Sequence, residues 1–519
     1  MKSKSSIVST IVGFLIFFSN SSVHAIELNW SGSLRTEGHI LLNPGQDGTT
    51  GGLLPDPARL NRGGYYIPGT GDTNAVFQTI FMRLKPSVVV NDNVYLFSEL
   101  WASDPVYGFF GGGSPSYFDQ RQYNSTFSRG SVITAQRFWT EIVTDLGTVK
   151  VGRMPLQWGL GVVWNSGSGL WDRYNSTGDT FGLKSKFGSF TISPQVIKYS
   201  MGNSVSGSCT VPVGGGACTT VFGTSNVGDL SIALEYESLD DEAKVGINFI
   251  RRFADSATDP SVGFFGVNSV TNQVSAATFN VYDLYAKKKF GKLTVAAEAP
   301  ITAGDIGVSS YNTFAAAAEI TYQPTSALEF NLKGGRAPGT SNVAAGASGA
   351  FPTSGVNYSA FYFHQNYRIA MIMFNYAFQN FSSPNNNNNA STTASTVRSP
   401  FDNPIANANY AAITAQLKSD RWNFHSTLAL ALAANTVGNS GYFFNYWDRK
   451  YYAYAAGSQG SFIGWEMDYG ATLKWDDNFE LGVDMGFYFP GNYYTFSNTA
   501  TDNRSNMVFG TVIKAGMSF

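Results

Sequence analysis

Met507-Val-Phe-Gly-Thr-Val-Ile-Lys-Ala-Gly-Met-Ser-Phe519 closes the chain and alternates apolar with small or polar side chains. At period two, Met507, Phe509, Ile513, Ala515, Met517 and Phe519 share one face. Val508, Gly510, Val512, Lys514, Gly516 and Ser518 share the other. A strand places successive side chains on opposite faces, so this one turns a greasy face toward something apolar and a lysine toward something polar.

The same alternation recurs upstream. In Phe479–Phe489 every odd position is apolar, and the even ones are Glu480, Gly482, Asp484, Gly486 and Tyr488. In Ile463–Trp475 the set Ile463, Trp465, Met467, Tyr469, Ala471, Leu473 and Trp475 opposes Gly464, Glu466, Asp468, Gly470, Thr472 and Lys474. Leu328, Phe330 and Leu332 oppose Glu329, Asn331 and Lys333.

Strand-like segments of this kind are joined alternately by tight turns and by long polar stretches. The tight turns fall at Asn91–Asn93, Asp145–Gly147, Gly188-Ser189, Leu239–Asp241, Phe290-Gly291, Pro324-Thr325, near Asn366, at Ser419-Asp420 and at Asp476–Asn478. The turn near Asn366 makes Tyr358–His364 and Arg368–Phe378 a hairpin, with long stretches at Ala337–Gly355 and Ser382–Ile405 on its flanks. About eighteen to twenty strands result. Connections sorted by length belong to an up-and-down meander threaded through a membrane, not to a soluble sandwich.

Composition agrees. Charged residues are 13% of the chain, against about a quarter in soluble domains, while aromatics are 15%, there are 55 glycines and mean hydropathy is -0.09. Past the first residues there is no run of about 18 apolar side chains, which excludes spanning helices. Lys2 and Lys4, the apolar run Ile7–Phe18 and Val23-His24-Ala25 read as a secretory signal peptide over residues 1–25, leaving 26–519 as a single barrel domain. Its removal takes two lysines and no acid, moving the formal charge from -2 to -4, which argues against nucleic acid as a partner. Cys209 and Cys218, the only cysteines, lie in a Gly/Ser/Val-rich segment of an exported chain and fit a disulfide-closed loop.

The aromatic terminus on a final strand resembles the insertion signal of Gram-negative outer-membrane β-barrels, read by the barrel-assembly machinery, with Phe519 as its last residue. Val149-Lys-Val-Gly-Arg-Met-Pro-Leu-Gln-Trp-Gly-Leu-Gly-Val-Val-Trp-Asn165, with its Val-Gly-Arg-x-Pro-x-x-Trp-Gly element, resembles the strand-to-loop junction of large substrate-selective porins, including alginate-export and phosphate- or carboxylate-selective types. The resemblance covers this segment and the two termini. It implies an all-β fold, a single transmembrane antiparallel barrel in contact with outer-membrane lipid and lipopolysaccharide, and passage of small hydrophilic solutes.

By count the same segment opens the third long loop, which in general porins folds inward. Asp172 and Arg173 are then constriction charges, and Trp158, Trp164 and Trp171 pack the loop against the wall. The competing reading assigns these tryptophans, with Trp475, to an interfacial aromatic girdle. A charge on the lipid face near the midplane costs about 2–4 kcal/mol, so Glu99, Arg137, Glu141, Lys150, Glu466, Asp468, Glu480 and Asp484 are assigned to a wet lumen carrying both signs. Arg153 is the exception, since alternation puts it on the face of Val149 and Val151. It lies either above the lipid band or after a bulge.

Neither His364, followed by Gln365-Asn366, nor His425, followed by Ser426-Thr427, has the nucleophile spacing of an outer-membrane phospholipase. No catalytic set, metal site or cofactor is expected. The alternatives to a channel are an adhesin-like barrel with an occluded lumen and, remotely, an esterase. The solute, the ion preference and the oligomeric state stay open, with Ala315–Ala318 a weakly lipid-adapted patch suited to a homotrimer.

Overall fold

A computed structural model describes residues 27–43, 74–103, 105, 133–201, 226–254, 277–306, 309–339, 357, 359–376, 401, 403–436, 442–445, 450–453, 458–495 and 505–519. Residues 1–25, Cys209 and Cys218 lie outside them.

The strands run in hairpin order. First come β1 (Glu27–Asn29), β2 (Gly32–Leu42), β3 (Asn74–Leu84), β4 (Ser87–Asn91), β5 (Val94–Ala102), β6 (Ile133–Thr144), β7 (Gly147–Pro155) and β8 (Thr177–Phe187). Next are β9 (Phe190–Met201), β10 (Asn226–Ser238), β11 (Ala243–Ala254), β12 (Ala277–Phe290), β13 (Leu293–Ile306), β14 (Ser309–Ser310), β15 (Thr313–Phe314) and β16 (Ala316–Tyr322). The last are β17 (Leu328–Ala337), β18 (Ala408–Ser419), β19 (Trp422–Ala433), β20 (Tyr442–Asn445), β21 (Lys450–Ala453), β22 (Phe462–Lys474), β23 (Phe479–Pro490) and β24 (Val508–Ser518).

Each pairs antiparallel with its neighbour, and β24 returns to β2 from Ser33↔Ser518 to Leu42↔Phe509, so the sheet closes. Pro86 has no N–H to give a ladder, so β3 and β4 form one bent strand, faced by the equally bent β1 and β2. With β14 and β15 continuing the β13 edge and β20–β21 standing apart, the barrel has eighteen strands.

Outward positions are large and apolar: Phe181, Ile513 and Phe138 are 63%, 60% and 55% exposed. Water does not tolerate a continuous apolar belt of this kind on a monomer, whereas acyl chains require it. Next to the short turns the exposed side chains become aromatic, with Phe187, Phe190, Phe290, Trp422 and Trp475 among them. Arg153 is outward, with no register shift along β6–β7, and it forms a bidentate pair with Asp179 (2.6 and 2.9 Å) where β7 and β8 leave the belt.

Three expectations need correction. Among the described residues Ser359–Tyr376 forms no ladder, so the hairpin expected over Tyr358–His364 and Arg368–Phe378 is not formed there, and β17 pairs directly with β18. Phe361, Phe363, Tyr367, Ile369, Ile372 and Phe374 are all buried, and a segment buried on every side carries no alternation to separate it from a strand. Ile463, expected outside, is 2% exposed and faces in. Gly464 at φ 144° sits where the β19–β22 register slips at Ala431/Leu432, and this bulge reverses the parity before Glu466.

The lumen is also not a uniform water column. On the turn side inward charges pair across neighbouring strands, as in Glu141–Lys150, Glu235–Lys244, Glu319–Lys333 and Glu329–Lys418. On the loop side the barrel is packed with apolar side chains from two inward connections, 156–176 and 359–376, against the inner wall.

Candidate functional site

The site forms where residues 156–176, the third long connection, cross the lumen. Pro155 ends β7, and the chain turns inward over Leu156, Trp158 and Trp164, which bury against inward Ile197, Ala233, Ile250 and Val281 of β9 to β12. Glu298 on β13 accepts the amide N–H groups of Leu160, Val162 and Val163, the latter two at 3.2 Å. A Cβ on Gly159 would collide with this carboxylate. The three amides thus converge on one fixed carboxyl group, in the manner of a backbone nest.

Guanidinium groups from the opposite wall hold the descending half by its carbonyls. Arg83 on β3 donates to Gly167, Ser168 and Gly169 at 2.6, 3.0 and 3.1 Å. Arg35 on β2 donates to Leu170 and Asp172, both at 2.7 Å. Arg137 on β6 donates to Ser166 at 2.6 Å and to Glu99 at 2.9 Å. Arg173 leaves the loop to meet Glu37 on β2 in a buried bidentate pair, with its guanidinium 3.9 Å from the Phe401 ring centroid.

The second inward connection packs onto the first. Asn366 accepts from the amides of Arg173 and Tyr174 at 3.3 and 3.0 Å and donates to the Tyr174 carbonyl, and the His364 amide donates to Val162 at 2.8 Å. Arg368 comes next, its Nη2 without a hydrogen-bond partner. Burial, aided by the charge of Arg173, pulls its guanidinium down to about 10. Burial also acts to lower Arg173, but Glu37 outweighs it and the net shift is upward. Five guanidinium groups, Arg35, Arg83, Arg137, Arg173 and Arg368, therefore gather around three carboxylates, Glu37, Glu99 and Asp172, leaving an excess of positive charge.

Of the residues singled out in the sequence, Glu99, Arg137 and Arg173 meet here, and Trp101 Nε1 also donates to Glu99 at 2.6 Å. Asp172 lies beside them, but its carboxylate accepts the Gly169 amide at 2.7 Å and shapes the loop. Glu141 and Lys150 pair with each other toward the short turns. Glu480 accepts Trp171 Nε1 at 2.8 Å, and Asp484 accepts Lys514 at 2.6 Å. Glu466 and Asp468 are buried under the second inward connection and accept its amides. Trp158 and Trp164 are buried inside the lumen and Trp171 half-buried there, whereas Trp475 is 60% exposed on the outside. His425 Nε2 is 3.6 Å from Asp484, and the Thr427 hydroxyl is engaged by Thr414 at 2.8 Å.

Sequence reasoning missed Arg35, Glu37, Arg83, Glu298, Asn366 and Arg368. Extending the alternation of the first strand past Thr36 would have put Ser33, Arg35, Glu37 and His39 on one inward face. Nothing local marks Arg368 or Asn366.

Eighteen antiparallel strands closed into a ring, joined by short turns at one rim and by long connections at the other, with the third of these turned inward, make this the architecture of a membrane-spanning β-barrel. The sequence matches no protein-family model and no curated protein. Solved structures similar to it include a BenF-like porin from Pseudomonas fluorescens Pf-5, at TM-score 0.48 and 9% identity over 95% of this chain and 99% of that one. OccK9 (OpdG) of Pseudomonas aeruginosa gives 0.45 and 12% over 95% and 99%. OmpT, an outer membrane protein of Vibrio cholerae, gives 0.36 and 8% over 96% and 98%.

Proposed function

We propose that the chain is a Gram-negative outer-membrane channel through which small hydrophilic solutes diffuse, with preference for anions. The observation that carries this reading is the arginine excess at the level where the third connection crosses a closed, lipid-adapted barrel. Fixed positive charge between low-dielectric walls concentrates anions and repels cations, giving selectivity without turnover. The barrel contacts outer-membrane lipid and lipopolysaccharide, and Phe519 serves the assembly machinery as its insertion signal. The lumen-facing ion pairs on the turn side supply a hydrated vestibule of both signs.

The apolar packing of the loop-side lumen favours a second reading, an occluded barrel acting from the surface. Single-channel recording of refolded protein in planar bilayers separates the two. The channel reading expects conductance with a reversal potential of anion-selective sign in a salt gradient. A membrane that stays sealed in every condition rules it out and leaves the occluded barrel.

A further inference from the structure

We infer that the outer wall of β7–β11, at the rim of the long connections, is a docking site for the phosphate groups of a multiply acylated phosphoglycolipid of the outer leaflet, with Arg153, Lys198 and Arg251 as its cations. The inference rests on the reading of the chain as an outer-membrane protein with its long connections outside.

Three cations face outward at this edge of the apolar belt. Arg153, Asp179 and Lys198 stand directly across from one another on β7, β8 and β9. Lys198 continues the outward face of Ile192 and Val196 on β9, and Arg251 that of Val245 and Phe249 on β11. Arg251 lies opposite Leu230 of β10, two residues nearer the middle of the belt than the row Lys198–Gly228–Phe253. Asp179, paired with Arg153, is the one acid within the group, so two positive charges are in excess. Arg251 is exposed and makes no ion pair among the described residues, and the exposed Asp305 on β13, two strands beyond Phe253, bounds the patch.

The backbone makes room for the lysine to lean across its neighbour. A Cβ on Gly228 would come 3.3 Å from Lys198 Cδ and 2.8 Å from the Phe253 ring. With glycine there, the Lys198 stem crosses β10 and its ammonium sits 5.2 Å from the Phe253 ring centroid, on the strand that carries Arg251. Strands are about 4.8 Å apart, so cations on β7, β9 and β11 are spaced about 10 Å from one to the next, which suits one headgroup bearing more than one phosphate. An arginine fork binds phosphate oxygens in pairs.

Toward the middle of the belt the same strands offer acyl chains the exposed side chains of Phe181, Val196, Leu230 and Ile232. The ligand must therefore be anionic at one end and multiply acylated at the other. Where β2, β3 and β19 reach the same rim, the exposed side chains are Leu42, Val76 and Leu432, so the positive charge belongs to this sector and not to the whole edge.

The test uses the full chain refolded in detergent and titrated with diphosphoryl lipid A, with its dephosphorylated form and with phosphatidylglycerol, bound lipid being counted by native mass spectrometry. Lys198→Gln with Arg251→Gln is expected to weaken diphosphoryl lipid A about thirtyfold, roughly fivefold for each cation removed. Lys198→Arg with Arg251→Lys keeps the charge and should bind nearly as the native chain does. Arg336→Gln, at the same rim on β17, should change nothing. Dephosphorylated lipid A should bind the native chain weakly, and excess inorganic phosphate should not displace the diphosphoryl form, because the acyl chains hold it. Insertion into phosphatidylcholine vesicles, expected equal for all variants, is the folding control. Equal affinity of the native chain and the glutamine double variant, an equal loss with Arg336→Gln, or phosphatidylglycerol bound as tightly as lipid A overturns the site alone. A native chain that inserts into no vesicle overturns the outer-membrane reading, and the site with it.

Discussion

Glu37 on β2 and Arg173 in the third inward connection form a bidentate ion pair that is 4% exposed on both sides, with Arg173 Nη2 donating to Glu37 Oε1 at 2.7 Å. Fixing a loop residue to the far wall in this way turns an external connection into a crossbar. Because neither charge can reach water, each depends on the other.

Glu37→Ala leaves a buried guanidinium unpaired and is expected to destabilise the barrel by about 3–5 kcal/mol. Glu37→Leu with Arg173→Met together should cost less than either single change. Guanidinium unfolding of the detergent-refolded protein measures both, and an additive double variant contradicts the coupling.

The turn-side pairs behave differently. Lys150 and Glu141 are 27% and 24% exposed, and such pairs contribute less than about 1 kcal/mol. Glu141→Ala should barely move the unfolding midpoint, and its effect on conductance should vanish in molar salt.

Arg368 carries the unpaired edge of the arginine cluster. Arg368→Ala is expected to lower the anion-to-cation permeability ratio roughly threefold, about the effect of one partly screened charge. Reversal potentials across a salt gradient read it directly.

Gly516 faces the third connection, and a Cβ there would come 2.6 Å from Leu170 and 3.0 Å from Trp171. Gly516→Val should therefore cost about 1–3 kcal/mol by overpacking and displace Trp171 from Glu480, seen as a change in tryptophan emission. An unchanged spectrum would mean the loop is looser than the contacts imply.

Burial pushes His364 down from 6.5 to about 3, with Arg368 adding to it. Its neutral Nδ1 accepts the Asn366 amide at 3.2 Å, and a proton there would set donor against donor. Between those values the unfolded chain binds a proton that the folded chain refuses. Stability from this group is complete above pH 6.5 and falls as pH drops toward 3, by about 1.4 kcal/mol per unit. His364→Asn should flatten that slope in hydrogen exchange at residues 364–376.

The strands were legible because the bilayer acts on every one of them locally. Phe479–Phe489 alternates cleanly since one face must meet acyl chains and the other must not. Where that pressure is absent, reading failed: Ser359–Tyr376 has no lipid face, so its apolar run was taken for a hairpin. At Ile463 the alternation was intact in letters, but the bulge at Gly464 reversed it in space. Arg137, Glu99 and Arg173 were found as inward or loop charges; the first two pair with each other, while Glu37, which pairs with Arg173, was not found.

The sequence by itself determined that this chain builds an antiparallel barrel and, away from the bulge at Gly464, which residues of its regular strands face lipid, because a two-residue period is a local property. The tertiary structure alone decided what fills the interior. Arg173 and Glu37 lie 136 positions apart, and Leu160 and Glu298 lie 138 apart. Contacts at such separation are set by where the closed wall brings distant side chains together, and no window of neighbouring residues records them.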